Sequence, residues 1–293
     1  MTERPHPAWG AGASLGAAIL AVLVGTALLA PWIAPDPGAQ SDLVRTRFLA
    51  PFTTDLNGTF HLFGTDRLGR DLWARLAHGA RISLGVGALA VLLSSGIGLL
   101  VGAVSAVYPR RVGSVLMGGT DLALALPRVV LLLLLAALWQ PSAALVVVVL
   151  GITGWMPVAR LVHGETRAVL ARPYVEGAIA LGSPRRRVLV SHVVPNVLTP
   201  VITASVLGMA NAISLEAGLS FLGVGVQPPT PSWGAMIASG RETIVNAPWV
   251  ALLPGILLVT TVVALAMVGD HLHPGGIRLA ESPGKTNRGT TIP

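Results

Sequence analysis

The chain has 293 residues, 53% of them hydrophobic and only 11% charged, with a net charge of +7 and a mean hydropathy of +0.71. Soluble domains carry about 25% charged residues, so a fully water-facing surface is excluded and lipid is implied as the main solvent. Cysteine is absent, which excludes disulfides and thiolate metal sites. The positive charge does not mark a nucleic-acid surface: there is one lysine, and the arginines fall between apolar stretches, where they set topology.

A helix needs roughly 20 apolar residues to cross a bilayer, and six stretches meet or approach that length. In chain order they are residues 11–30, 82–107, 112–139, 143–162, 196–221 and 248–268. The expected fold is therefore an all-α polytopic membrane protein with six transmembrane helices. Residues 1–10 precede the first span. That span is longer than a signal-peptide core of about 7–15 residues, and it reads as a retained anchor. Residues 31–81 form a long connection of mixed charge. The second span is uncharged and carries Gly98 and Gly102, a GxxxG pair suited to close packing within the chain or against another subunit. The third is interrupted at Pro127. Pro157, Pro200 and Pro254 mark further helix irregularities. Residues 82–274 make up the core, and the polar tail 275–293 is expected to be disordered.

Orientation follows from the short connections. With a cytoplasmic N-terminus, the inside holds twelve of the twenty Lys and Arg residues, among them Arg110, Arg111, Arg160, Arg185, Arg186 and Arg187. The outside holds seven, six of them in the long connection, where five aspartates offset them. Both termini are then cytoplasmic, as is the polar loop at residues 163–195.

That loop contains the most informative segment, residues 174–195, reading YVEGAIALGSPRRRVLVSHVVP. Pro173 suits the first position of a helix, where its missing N–H is not needed. Gly182 suits the left-handed residue that ends one. Ser183 is a good N-cap, and Pro184 again suits a first helical position. The spacing predicts two short helices meeting at a glycine, with small residues at Gly177 and Ala178 leaving room for a partner. An ordinary basic helix pair lying on the membrane is the competing reading. Glu176, Gly177, Ala178, then Gly182 and Pro195, resemble the "EAA" loop (E-A-A-x3-G-x9-I-x-L-P) of ABC-importer permeases. Gly177 stands for the first Ala, His192 for the Ile and Val194 for the Leu.

Two further segments sharpen the resemblance. Residues 61–81 read HLFGTDRLGRDLWARLAHGAR and residues 216–234 read EAGLSFLGVGVQPPTPSWG. Both are similar to the C-type permease subunits of dipeptide, oligopeptide and nickel importers. The resemblance spans residues 10–279, and it implies the following expectations. The fold is the type I importer permease, multi-pass in the prokaryotic cytoplasmic (inner) membrane. The partners are a second homologous permease, two cytoplasmic ATPase subunits that bind ATP and Mg, an extracytoplasmic solute-binding protein and membrane lipid. This chain itself needs no cofactor and no metal, and it transports without an ATPase site of its own. ATPase docking falls to Glu176, Gly177, Ala178, Gly182, Ser183, Arg185 and Pro195. A stand-alone secondary transporter or channel is the alternative, although it leaves the EAA-like loop unexplained.

The remaining candidates rest on the residues themselves. Gly64-Thr65-Asp66 and Gly69-Arg70-Asp71 read as glycine turns with capping acids. Asp66, Arg70 and Asp71 suit a salt-bridged outer loop or direct contact with a binding protein. Trp233, after the proline run Pro228-Pro229-Thr230-Pro231, suits an interfacial aromatic position and the same contact. Asp121, Arg128 and Glu216 fall in or near spans, where ionisable groups must be paired or face water. Asp121 and Arg128 are seven apart and would share one helix face, either as an ion pair or subunit contact, or as a polar lining of the translocation path. Glu216 suits a structural role in the following loop, a snorkelling position or the outer mouth. Gly284-Lys285-Thr286 lacks the upstream glycine of a phosphate-binding loop, since Leu279 occupies that place.

Overall fold

A computed structural model describes residues 10–40, 45–108 and 110–272. The expected disorder of residues 275–293 lies outside the described residues, as does almost all of the N-terminal segment. Five helices are long and apolar enough to cross a membrane, and a sixth crossing is formed if a bent pair counts as one.

The first crossing is α1 (Ala11–Ile33). It leads to a folded cap that contains the two-stranded hairpin β1 (Thr53–Thr54) and β2 (Phe60–His61), antiparallel with Thr53 opposite His61. The long α2 (Leu72–Val107) begins ten residues before the predicted span, because Asp71 caps it: its carboxylate accepts from the Ala74 N–H at 2.9 Å. The connection predicted over residues 31–81 is thus shortened, and its last ten residues are helical. α3 (Arg111–Ala125) and α4 (Arg128–Leu138) follow, with an 85° bend between them. The predicted third span is therefore broken. Pro127 withholds an N–H and disfavours helix at Leu126, whose backbone is extended.

α5 (Ala143–Leu170) runs eight residues past its predicted span. α6 (Pro173–Ala180) and α7 (Arg185–Val188) make a compact knob at its end. A π-helical turn at Leu189–Val193 then joins α7 to α8 (Val194–Phe221), so helix is continuous over Arg186–Phe221. Pro195 was expected to mark a junction between loop and span. Instead, the wider turn ahead of it accommodates a proline that cannot donate in the helical ladder. α9 (Trp233–Gly240) returns beneath the cap, and α10 (Trp249–Leu272) crosses back.

Close approaches hold the bundle together. A Cβ on Gly98 would lie 2.6 Å from Val158 Cβ, and one on Gly102 would lie 2.5 Å from the Ala159 carbonyl oxygen. The GxxxG pair thus serves α2–α5 packing inside the chain. On the other side, a Cβ on Gly16 would meet the Ala264 oxygen at 2.8 Å, so α1 and α10 pack antiparallel with the start of one beside the end of the other. Leu272 also contacts the knob half of α8, its carbonyl accepting from Thr203 at 3.1 Å. The start of α1 and the end of α10 therefore sit at the knob end, opposite the cap.

Candidate functional site

The knob is built from a helix stop that the sequence specifies closely. Pro173 occupies the first turn of α6. Gly182 has φ +86°, its N–H bonds to the Ile179 carbonyl at 2.9 Å, and the Ser183 N–H bonds to Ala178 at 3.1 Å. This pair of bonds is a Schellman motif, which satisfies the last carbonyls of α6 and reverses the chain. α7 opens at Arg185, one residue later than predicted. Pro184 stands ahead of its first turn, and its carbonyl accepts from Arg187 at 2.8 Å and Val188 at 3.2 Å.

The inner face of the knob is anchored by aliphatic burial. Val175, Val193 and Val197 are completely buried, in one cluster with Val162, Val169, Val188 and Val201 from α5, α7 and α8. Each contributes about 1.5–3 kcal/mol relative to exposure. Arg172 donates to Asn196 at 3.3 Å, and Asn196 donates to the His192 carbonyl at 2.7 Å. His192, which departs from the EAA pattern, lies edge-on to Tyr174 with ring centroids 5.9 Å apart. The imidazole thus makes an aromatic contact at the base of the knob.

The outer face is exposed: Glu176, Gly177, Ile179, Gly182, Arg186 and Arg187 all lie open. At its tip stands Leu181, 90% exposed. Sequence reasoning missed Leu181, although an apolar residue directly before a helix-ending glycine is a readable signal. Ala178 and Ser183 are half-buried, and Pro195 is exposed on the rim.

At the opposite end the predicted acidic turns are observed. Asp66 accepts from the Leu68 and Arg70 N–H groups at 2.8 and 3.0 Å, with Gly69 at φ +70°. Its second oxygen takes Arg70 Nη2 at 2.7 Å and faces Arg75 Nε at 3.5 Å. Asp71 accepts from His61 Nδ1 at 2.7 Å. Asp66 and Arg70 are buried within this network as internal struts of the cap, which is the salt-bridged-loop reading; direct contact with a binding protein, the other reading, does not suit these two buried side chains. Trp233 is corrected. It is fully buried rather than interfacial, and its indole donates to the Leu76 carbonyl at 3.1 Å. The Pro228–Pro229 peptide is cis in a turn, where an extended run was expected.

Glu216 joins this buried cluster. It is fully enclosed, accepting from Ser83 at 3.1 Å and from Ser220 at 2.8 Å, while Ser83 accepts from the Trp233 N–H at 3.1 Å. The carboxylate ties α2, α8 and α9 together, and it neither snorkels nor lines a mouth. Asp121 and Arg128 do not share a helix face, because the 85° bend separates them. Asp121 pairs with Arg160 of α5 at 2.7 Å instead, and Arg128 turns into a cavity between α2, α5 and α8. No group of three or more metal-ligating side chains occurs among the described residues.

The geometry is thus a helical bundle with a knob at one end and a folded cap at the other. Residues 95–275 match the family described as "Binding-protein-dependent transport system inner membrane component". The chain belongs to this family. It is a multi-pass inner-membrane permease subunit of an ABC importer, and the stand-alone transporter is set aside. The di/tripeptide transport system permease protein DppC of Pseudomonas aeruginosa is 38% identical over 264 residues, covering 89% of this chain and 86% of that one. A putative peptide transport system permease protein of Brucella suis is 37% identical over 261 residues, covering 88% and 85%. Among solved structures, an inward-facing MetNI methionine ABC transporter superposes with a TM-score of 0.57 at 18% identity, covering 71% of this chain and 98% of that one. An amino acid ABC transporter with histidines gives 0.52 at 16%, covering 67% and 91%. At such identities the likeness is one of fold.

Proposed function

We propose that this permease imports short peptides and that the α6–α7 knob is its dock for cytoplasmic ATPase subunits. The observation that carries this reading is the knob itself: an exposed turn with Leu181 at its tip, anchored by buried valines and running into α8 without a break. Motion imposed on such a knob is passed to a membrane-crossing helix and not absorbed by a loop. Relatives named as peptide and di/tripeptide permeases support the cargo class.

In the complete importer a second, homologous permease provides the other half of the path. Two ATPases bind ATP and Mg, and this chain has no ATPase site. ATP-driven closure of those subunits moves the knobs, tilts the spans and opens the path toward an extracytoplasmic binding protein; hydrolysis and release reverse the movement. The knob end is then cytoplasmic together with both termini. The cap faces the binding protein, and its exposed apolar residues Phe52, Leu56, Phe60 and Val245 replace Asp66, Arg70 and Trp233 as the contact candidates.

Co-purification of the ATPase subunits with the tagged permease pair tests this, comparing the native chain with Leu181→Ser. A fully exposed position makes little difference to folding, so equal membrane insertion is expected. Loss of the ATPases from the well-inserted variant supports the dock. Undiminished co-purification places the dock elsewhere.

A further inference from the structure

A cavity of about 330 Å3 opens between α2, α5 and α8, roughly halfway along each helix. Its walls are mostly small and apolar. The polar lining consists of Ser94, Ser95, Ser205, Asn211 and one ionisable side chain, Arg128. Arg128 arrives there through the break at Pro127, which turns the first residue of α4 toward α5. Gly154 leaves room for it: a Cβ at that position would stand 3.2 Å from Arg128 Nη2 and 3.0 Å from Ser94 Cβ.

The guanidinium is not neutralised within the described residues. Asp121 is engaged by Arg160 at 2.7 Å. The lining contains no carboxylate, and Arg128 Nε is buried without a hydrogen-bond partner. The nearby hydroxyls are neutral and bonded elsewhere, Ser95 with Ser205 at 2.7 Å and Ser94 donating to the Val91 carbonyl at 3.1 Å, so they supply no negative charge. A cation held at mid-bilayer depth is costly unless it meets an anion or water. This cavity is therefore a mostly apolar compartment with one cation, whose strongest unmet demand is for an acceptor with negative charge.

We propose that Arg128 is a cargo-positioning residue that receives a carboxylate of the passing peptide in this cavity. The inference rests on the peptide-importer reading and adds to it which end of the cargo is held. Arginine suits the task because its planar fork matches both carboxylate oxygens. Small-ligand sites occupy about 300–1,000 Å3, so the cavity takes a peptide terminus and its first side chain, not a long chain. The lining has no acid to hold an ammonium group, which makes the station selective for the anionic end. A carboxylate of the companion permease is the competing occupant, and it would make Arg128 an assembly residue.

The test uses the whole importer in proteoliposomes, with the companion permease, both ATPases and the binding protein. Uptake is read by mass spectrometry from a mixture of dipeptides and from the same mixture amidated at the C-terminus, each corrected for its loading on the binding protein. The native importer is expected to favour the free acids by about tenfold, the equivalent of one charge-assisted hydrogen bond. Arg128→Gln should bring the acids down to the level of the amides, with ATPase docking and subunit assembly unchanged, and Arg128→Lys should recover part of the preference. Native-like acid preference in Arg128→Gln overturns the inference while leaving the importer reading intact. Loss of companion-permease association in Arg128→Gln overturns it in favour of an assembly role. Failure of the native importer to take up either mixture, with ATPase activity still stimulated by the binding protein, removes the peptide reading and this inference with it.

Discussion

Gly182 offers the sharpest test of how the knob is made. Its φ of +86° lies in the left-handed region, and a Cβ placed there would meet nothing within 4 Å. Substitution therefore carries a backbone cost without a steric one. For alanine that cost is about 1–2 kcal/mol, roughly a 5–30-fold fall in the population of the correctly turned knob. Asparagine tolerates the same conformation and should cost less, whereas valine should cost more. The expected order of ATPase affinity is Gly, then Asn, Ala and Val, with membrane insertion equal throughout, since the motif lies outside the buried valine cluster. Purified ATPase subunits titrated against the detergent-solubilised permease pair would measure it. Gly177→Ala is the internal control: its Cβ also meets nothing, its φ is not positive, and alanine favours helix over glycine by about 1 kcal/mol. Its affinity should hold or rise. Equal affinities across the Gly182 series, or a Gly177→Ala loss matching that of Gly182→Ala, would refute the argument that the turn geometry is what the partner reads.

Three other outcomes follow from the packing. Gly102→Leu forces a side chain into the Ala159 carbonyl and Val162, and overpacking of this kind costs about 1–3 kcal/mol or more; thermal stability of the detergent-purified chain should fall, whereas Gly96→Leu, which meets nothing, should leave it unchanged. Glu216→Leu strands the hydroxyls of Ser83 and Ser220, each at about 1–3 kcal/mol, while Glu216→Gln keeps an acceptor oxygen for one of the two and should be the milder change by the same thermal assay. Asp121→Arg and Arg160→Asp should each lower the yield of inserted protein, because each puts two like charges where the 2.7 Å ion pair stood, and the double exchange should restore it.

Local chemistry was the most readable part of this chain. The Gly182 turn, the first-turn Pro173 and the acidic turns at Asp66 and Asp71 were legible because each depends on a residue whose backbone preference or side-chain reach acts within four or five positions. Span existence was legible from apolar length, and span ends were not. α2 and α5 run past their predicted limits because capping and tertiary contacts, not hydropathy, decide where a helix stops. The least legible features were those set by chain reversal over long distances. Nothing near Trp233 announces that α9 folds back to bury it against Leu76 and Ser83, some 150 residues earlier in the chain. Asp121 and Arg128 misled for a related reason: a seven-residue spacing implies a shared face only while the helix stays straight, and Pro127 bends it by 85°.

The same bend bears on how much of this protein a cell can keep. α3 is about 22 Å long at 1.5 Å per residue, so the break falls at bilayer depth, with the regular ladder interrupted between the Leu126 N–H, which bonds to Ala123, and the Val130 N–H, which bonds to Pro127. Backbone in that condition persists only against protein or a watery cavity, never against acyl chains. The exposed Leu126, Val129 and Val130 flank the break, so this chain alone does not cover it. Should the second permease proposed above supply that cover, surplus copies of this chain are expected to be short-lived, with a lifetime that lengthens as the dose of the partner rises.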